Sequence, residues 1–523
     1  MPEETPRVRF RFGPLERRGL IAGWRGGQIA SVAAGLMVAV LAMRAGRPLV
    51  GAVVALVALG ASVALAMWPV GGRTLEQWTP DALRYATDSS RRRRDRSDPF
   101  GTLELLTVEL ASPGPRGGPA VRSAPQSSKQ AAVVFDRAAR TYTAVLGASG
   151  SGFVLAGEEE KLRRVGAWAD VLSSLARDGS SVHRVQWVAR NVPGGSPPAL
   201  NGSSGDASAY HEHDAYNGYD GYTGHGSNRR SGEYDGYDAA RRSYASLLRA
   251  QGELSRHHAV LVAVSVSPAK QARAVKAAGG GSTGACALVL REAGMLRRRI
   301  ADAGIEAGHA LSPAELARTL RSAFEAGDAQ AGERSPARGG SRKVRWGRPS
   351  PPAGPWPMGV RSEWSRVLVD GLWHASYWIS EWPRTDVGPD FLGPLLLLPE
   401  GRSTVSVVME PLTPSEAARK IEQARTADIA DSELRRKGGF LLTARRRREE
   451  EVLAQREAEL ADGYAPFRFC GYVTVSASKP GELDEACRQA EQAAARCGLE
   501  LRLCYGDQAR AFSATLPLGR GLC

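Results

Sequence analysis

Only a few places in these 523 residues have the residue types and spacing for chemistry. Gly279-Gly-Gly-Ser-Thr-Gly284 precedes a helical pattern, as phosphate-cradling turns do. It lacks the Lys of a GxxxxGK[ST] loop and no long strand runs straight into it, so a flexible loop or helix start explains it better. His211-Glu212-His213-Asp214 and His225 are metal-ligand types, but they lie in a segment with no positional order. His257-His258 adjoins one strand pattern and His374 sits in another, beside Trp373 and Tyr377; core or surface roles suit them better than catalysis. Trp382-Pro383-Arg384-Thr385-Asp386 is the densest polar-aromatic cluster, and a structured turn explains it as well as a site would. The six cysteines include no CxxC and, although five fall in the last 54 residues, a chain of this size needs no disulfide framework. No HExxH occurs. No catalytic, cofactor-binding or metal-binding residue is assigned, and the chain reads as a non-enzyme without a cofactor or small-molecule substrate.

The elements around these residues alternate. Ala131–Phe135 and Thr141–Leu146 read as a hairpin across Asp136–Arg140, and Val182–Val188 and Ala259–Val266 as further strands. Glu158–Leu175 puts Leu162, Val165, Trp168, Leu172 and Leu175 on one helical face. Helices are also expected at 239–250 and 286–303, and Ser312-Pro-Ala-Glu315 opens another with a capping box. Later come strands at 373–379, 404–409, 468–475 and 499–503, a second cap at Thr413-Pro-Ser-Glu416, and a helix at 483–497 closed by Gly498. Between them lie a Tyr- and Gly-rich insertion, 194–236, read as disordered, a Gly/Arg/Pro-rich linker, 326–358, and a charged helical arm, 430–461. Two α+β modules follow, 101–325 and 359–523, each read as ferredoxin-like or split βαβ.

Ahead of them the composition changes. Residues 1–100 hold 15 Arg, no Lys and 8 Asp or Glu, half of the net charge of +14 in a fifth of the length. Gly26–Met43 and Leu49–Trp68 are charge-free runs joined by Arg44-Ala-Gly-Arg47-Pro48. Their lengths match a two-helix transmembrane hairpin over 26–70, behind a basic N-terminus, 1–25. Thirteen flanking Arg against two in the turn place both ends in the cytoplasm, giving an N-in, C-in, multi-pass protein of the inner membrane. Trp24 and Trp68 are expected at the lipid interface. A juxtamembrane amphipathic segment, 71–100, adds Trp78 and the cluster Arg91, Arg92, Arg93 and Arg94 facing anionic lipid rather than nucleic acid.

Several stretches look familiar: Phe135-Asp-Arg-Ala-Ala-Arg-Thr-Tyr-Thr-Ala-Val145, Tyr377-Trp-Ile-Ser-Glu-Trp-Pro-Arg384, Val387-Gly-Pro-Asp-Phe-Leu392, Val405-Ser-Val-Val-Met-Glu-Pro411 and Ala511-Phe-Ser-Ala-Thr-Leu-Pro-Leu-Gly-Arg-Gly521. With the hairpin and Gly72-Arg-Thr-Leu-Glu-Gln-Trp78, they resemble a family of actinobacterial integral membrane proteins encoded beside conjugation-type, type IV secretion-like ATPases. The resemblance implies the small two-helix inner-membrane component joined to the N-terminal domain of the conjugation ATPase (residues 131–523), without its motor. It implies a scaffold that binds membrane lipids and docks a separate conjugation-type ATPase and other secretion-apparatus subunits. The alternatives are a type VII secretion component, some of which also pair two N-terminal spans with a cytoplasmic domain, and a membrane-tethered enzyme using Trp382–Asp386 and the Gly279–Gly284 loop.

Overall fold

The computed structural model describes residues 26–44, 48–67, 69–70, 73–74, 82, 85, 99–110, 130–149, 156–177, 179–193, 256–325, 354–398, 401–437, 454–455, 457–458 and 466–522. In chain order these form α1 (Gly26–Arg44), α2 (Pro48–Met67), β1 (Pro69–Val70), β2 (Arg73–Thr74), β3 (Leu103–Glu109), β4 (Gln130–Asp136), β5 (Thr141–Ser149), α3 (Glu158–Leu175), β6 (Arg184–Pro193) and β7 (Arg256–Val266). Then follow α4 (Ala272–Ala277), α5 (Gly281–Asp302), β8 (Glu306–Ala310), α6 (Pro313–Arg321), β9 (Val360–Ser362), β10 (Val367–Val369), β11 (Leu372–Glu381) and α7 (Gly393–Leu396). The last are β12 (Arg402–Pro411), α8 (Pro414–Lys437), β13 (Phe467–Ala477), α9 (Pro480–Arg496), β14 (Glu500–Leu503) and α10 (Gln508–Ala514).

Local chemistry sets several boundaries. Ser312 caps α6: its hydroxyl accepts the Glu315 N–H while the Glu315 carboxylate accepts the Ser312 N–H, with Pro313 at the first turn. Thr413 and Glu416 repeat that exchange at α8. Gly498, at φ +71°, closes α9 against the Pro383 ring. The Gly279–Gly284 stretch is the start of α5. Gly279, Gly280 and Gly281 all take positive φ to turn the chain out of α4, and Gly284 lets the two helices touch. A Cβ on Gly284 would sit 2.4 Å from the Val275 carbonyl oxygen, a backbone atom with nowhere to go. Gly284→Ala is expected to cost about 2 kcal/mol in urea unfolding. Gly294→Ala, where an added Cβ meets nothing, is expected to be neutral or to stabilise by up to ~1 kcal/mol.

The two halves share one sheet. Twelve strands run in the order β3-β4-β5-β7-β6-β12-β13-β11-β10-β9, with β14 pairing β11 and β8 pairing β5, and every pair is antiparallel. The seam is β6–β12, in register from Ser403↔Asn191 to Met409↔Val185. This corrects the expectation of separate ferredoxin-like or split βαβ modules. Each half ends in a strand whose open backbone groups the other half satisfies, so the sheet continues across the join.

Alternation assigns the two faces. Val133, Ala144, Leu146, Val262, Val264, Val405, Val473, Val475 and Ile379 pack under α3, α5, α7 and α9. Val134, Val145, Val188, Leu261 and Ala263 point the other way, under α6, α10 and Leu516–Leu518. The result is helices, sheet, then a thinner layer finished by the C-terminal residues.

The two apolar runs form α1 and α2, an antiparallel pair in close approach: a Cβ on Gly35 would overlap Ser62, and one on Gly51 the Ala42 carbonyl. Among the described residues, however, no helix is long and apolar enough to cross a membrane. The transmembrane hairpin, and the multi-pass inner-membrane placement derived from it, are corrected accordingly.

Candidate functional site

Most residues expected to contact other molecules fall outside the described residues: Trp24, Trp68, Trp78, Arg91, Arg92, Arg93 and Arg94, the His211–Asp214 group with His225, the 194–236 insertion and much of the 430–461 arm. Among the described residues, no group of His, Cys, Asp and Glu could hold a metal ion. The five described cysteines, Cys286, Cys470, Cys487, Cys497 and Cys504, form no disulfide.

Trp382 and Arg384 do border an open cleft of ≈ 300 Å³, with Glu381, Thr385, Gly498, Leu499 and Glu500. Its charges are already matched along its own rim. Arg384 is bonded to Glu381, and Glu500 takes two hydrogen bonds from Arg502, at 2.9 and 2.8 Å. Trp382 stands edge-on to Phe469, ring centres 5.4 Å apart. The cluster works as a turn that fits Pro383 against Gly498.

The most elaborated chemistry is instead a polar stripe down the sheet face covered by the C-terminal segment. Gln186, fully buried on β6, is its centre. Its amide nitrogen lies 2.8 Å from each of the Ala514 carbonyl, the Leu516 carbonyl and the Ser406 hydroxyl, and its oxygen accepts the Gly519 N–H at 2.7 Å. Gln508 binds both backbone groups of Ser376: its oxygen accepts the N–H at 2.8 Å and its nitrogen donates to the C=O at 3.2 Å. Ser376 and Thr474 pair through their hydroxyls at 2.7 Å, as Thr143 and Ser265 do at 2.8 Å. Gly519, at φ +69°, has no room for a side chain, since a Cβ would fall 2.1 Å from the Ser265 hydroxyl. The Tyr472 hydroxyl then donates to the Gly521 carbonyl at 2.6 Å.

Arg520 finishes the strap. Its guanidinium donates to Asp136 at 2.7 Å, to the Thr102 hydroxyl at 2.7 Å and to the Pro99 carbonyl, tying the chain's end to the β3–β4 edge. Burial alone would raise the Asp136 pKa. The Arg520 hydrogen bond and charge, with the N–H groups of Ala139 and Ala138, overcome it and hold the carboxyl below its ordinary value. Nearby, Glu410 is flanked by Lys270 at 3.0 Å, His183 at 3.5 Å and Arg184 at 3.6 Å. Burial, then the Lys270 and Arg184 charges, lower His183 to about 4, so its imidazole is neutral at physiological pH.

Farther along the same face stand three cation-forming side chains, Arg190, Arg402 and His374. Arg190 is 4% exposed and gives one nitrogen to the Thr319 carbonyl (2.7 Å) and the Ser322 hydroxyl (3.0 Å); its Nε and other terminal nitrogen have no partner. Half-buried Arg402 donates to the Glu325 carbonyl at 2.6 Å. His374, fully buried, pairs Nδ1 with the Ser476 hydroxyl at 2.7 Å and leaves Nε2 unpartnered beside Phe512, ring centres 4.2 Å apart. Sequence reading singled out His374 but passed over Arg190 and Gln186. A lone polar residue in a strand pattern carries no sign of which face it joins or what lies across from it.

With this geometry in hand, residues 254–379 match the family model described as "Putative type VII ESX secretion system translocon, EccE". The matched segment, about a quarter of the chain, runs from β7 through most of β11 and so enters both halves of the sheet. It speaks for a secretion system of type VII, the alternative in the sequence reading, rather than for the conjugation-linked resemblance. No curated protein matches the chain.

Proposed function

We propose that this chain is a structural, non-catalytic component of a type VII-like secretion translocon, working through contacts with other subunits of that apparatus. The observation that carries the reading is the match to the EccE model over 254–379. The position of that segment supports extending the reading to the chain. It supplies central strand β7 in one half and β11 in the other, and neither can keep its neighbours without the rest of the sheet. A non-catalytic role is supported by what the candidate residues do here: the glycine-rich stretch turns α4 into α5, and the Trp382 cluster pairs its charges internally.

The test is deletion of the gene in its host, with exported proteins measured in the culture medium and the tagged chain followed on native gels. Loss of type VII export that the wild-type gene restores, with the chain migrating in a complex that contains other type VII subunits, is the expected result. Unchanged export, or a complex built of conjugation subunits, would refute it.

A further inference from the structure

Among the described residues, the group Arg190, Arg402 and His374 has no counter-charge. Register places all three on one face. Arg190 pairs with Thr404, two residues from Arg402 on β12, and Ser476 lies between Arg402 and His374, paired with each. Among the described residues no carboxylate forms an ion pair with any of them. An uncompensated guanidinium removed from water costs several kcal/mol, so buried arginines are ordinarily paired. Here the electrostatics run one way. Burial, followed by the Arg402 charge, lowers Arg190 to about 10; burial, followed by Arg402 and Arg190, lowers His374 to about 3. Burial lowers Arg402 as well.

We propose that this face holds a binding site for a phosphate group, with Arg190 and Arg402 as its ligands and the unpartnered His374 nitrogen beside them. The free Nε and terminal nitrogen of Arg190 form the two-pronged donor that fits oxyanions. The remaining donors stand on two other strands of the same face, β12 and β11, and so reach an anion from positions spread across the sheet. A tetrahedral oxyanion presents acceptors that way; a planar carboxylate offers two in one plane. Neutral His374 can supply an Nε2 proton, its Nδ1 then accepting from the Ser476 hydroxyl. Arg402, bonded to the Glu325 carbonyl, is half-buried and is the member of the group that meets solvent.

The experiment uses the full-length chain. It is titrated with sodium phosphate, against sodium chloride of equal ionic strength, by calorimetry and by melting temperature. Saturable heat and a rise of a few degrees by ~20 mM phosphate are expected, because a ligand that binds only the folded state stabilises it. Arg402→Gln, at a half-exposed position that should tolerate it, is expected to fold as wild type and bind phosphate at least tenfold more weakly. Arg190→Met is expected to show no response. Adenosine monophosphate forms a second arm. Tighter binding than inorganic phosphate assigns the site to a phosphate carried on a larger molecule, and equal or weaker binding assigns it to the free ion. Phosphate acting no differently from chloride, or Arg402→Gln binding as tightly as wild type, would overturn the proposal.

Discussion

A chain ending at Asp507 is expected not to reach a stable fold, although it keeps every strand of the sheet. Residues 508–523 are a small fraction of the sequence, yet Phe512, Leu516 and Leu518 are each 1–2% exposed, and they close the core formed by Val188, Leu261, Ala263 and Phe100. Burying such side chains contributes roughly 1.5–3 kcal/mol apiece. Removing them would also bare the apolar strand face beneath and leave the Gln186, Ser376 and Asp136 hydrogen bonds without partners. Together these losses come to about 10 kcal/mol, comparable with the whole stability of an ordinary domain. Chain 1–507, compared with 1–523, should show no cooperative thermal transition and should be digested rapidly by added protease. A cooperative transition within a few degrees of the full chain would show that the strap is ornamental. The result bears on synthesis too: this face of the core is completed only once residues 508–518 have been made.

Much of the local structure was legible because it follows from short-range chemistry. The β4–β5 hairpin, helices α3 and α9 and the two Ser/Thr-Pro-x-Glu caps each follow from residues within a few positions of one another. The overall arrangement was not, because it is set at long range. Val188 pairs with Ser406 across the seam, 218 positions along the chain, and no periodicity records that partnership. Strand β8, Glu-Ala-Gly-His-Ala, has no alternating pattern, and β9 and β10 are three residues each, too short to announce themselves. The apolar runs misled in another way: they do fold as helices α1 and α2, but freedom from charge does not by itself make a helix a membrane span. At the C-terminus, Thr-Leu-Pro-Leu-Gly resembles a segment leading into a motor domain. The structure packs Leu516 and Leu518 inside, with a glycine placed where only hydrogen would fit over Ser265. The candidate site was hidden for a related reason: an arginine within Val-Ala-Arg-Asn looks like an exposed strand residue until the covering layer is known.

Gln186→Leu is expected to be strongly damaging, at about 3 kcal/mol. The substitution keeps roughly the same volume, so the cost is polar. The Gly519 N–H loses its acceptor, and the Ala514 and Leu516 carbonyls each lose one of two donors, keeping the Ser406 hydroxyl and the Leu518 N–H, all inside the protein where water cannot replace what is lost. The orphaned N–H costs about 1–3 kcal/mol, and each weakened carbonyl up to about 1 kcal/mol. Gln186→Glu separates this account from simple misfit. Protonated, the glutamic acid has one hydroxyl proton for the two carbonyls and an oxygen for Gly519; ionised, it has no donor and sets a buried negative charge against both carbonyls. Its folded-state pKa must therefore be raised above the unfolded value near 4.3. A group with a raised folded pKa contributes stability that is complete below the unfolded pKa and is lost as pH rises towards the folded one. Gln186→Glu should thus lie close to wild type near pH 4. It should then fall behind by up to ~1.4 kcal/mol per pH unit, when each is compared with wild type at the same pH, so that the titration of other groups cancels. Equal destabilisation of the Glu variant at pH 4 and pH 8 would mean that shape, not hydrogen bonding, holds the C-terminal strap in place.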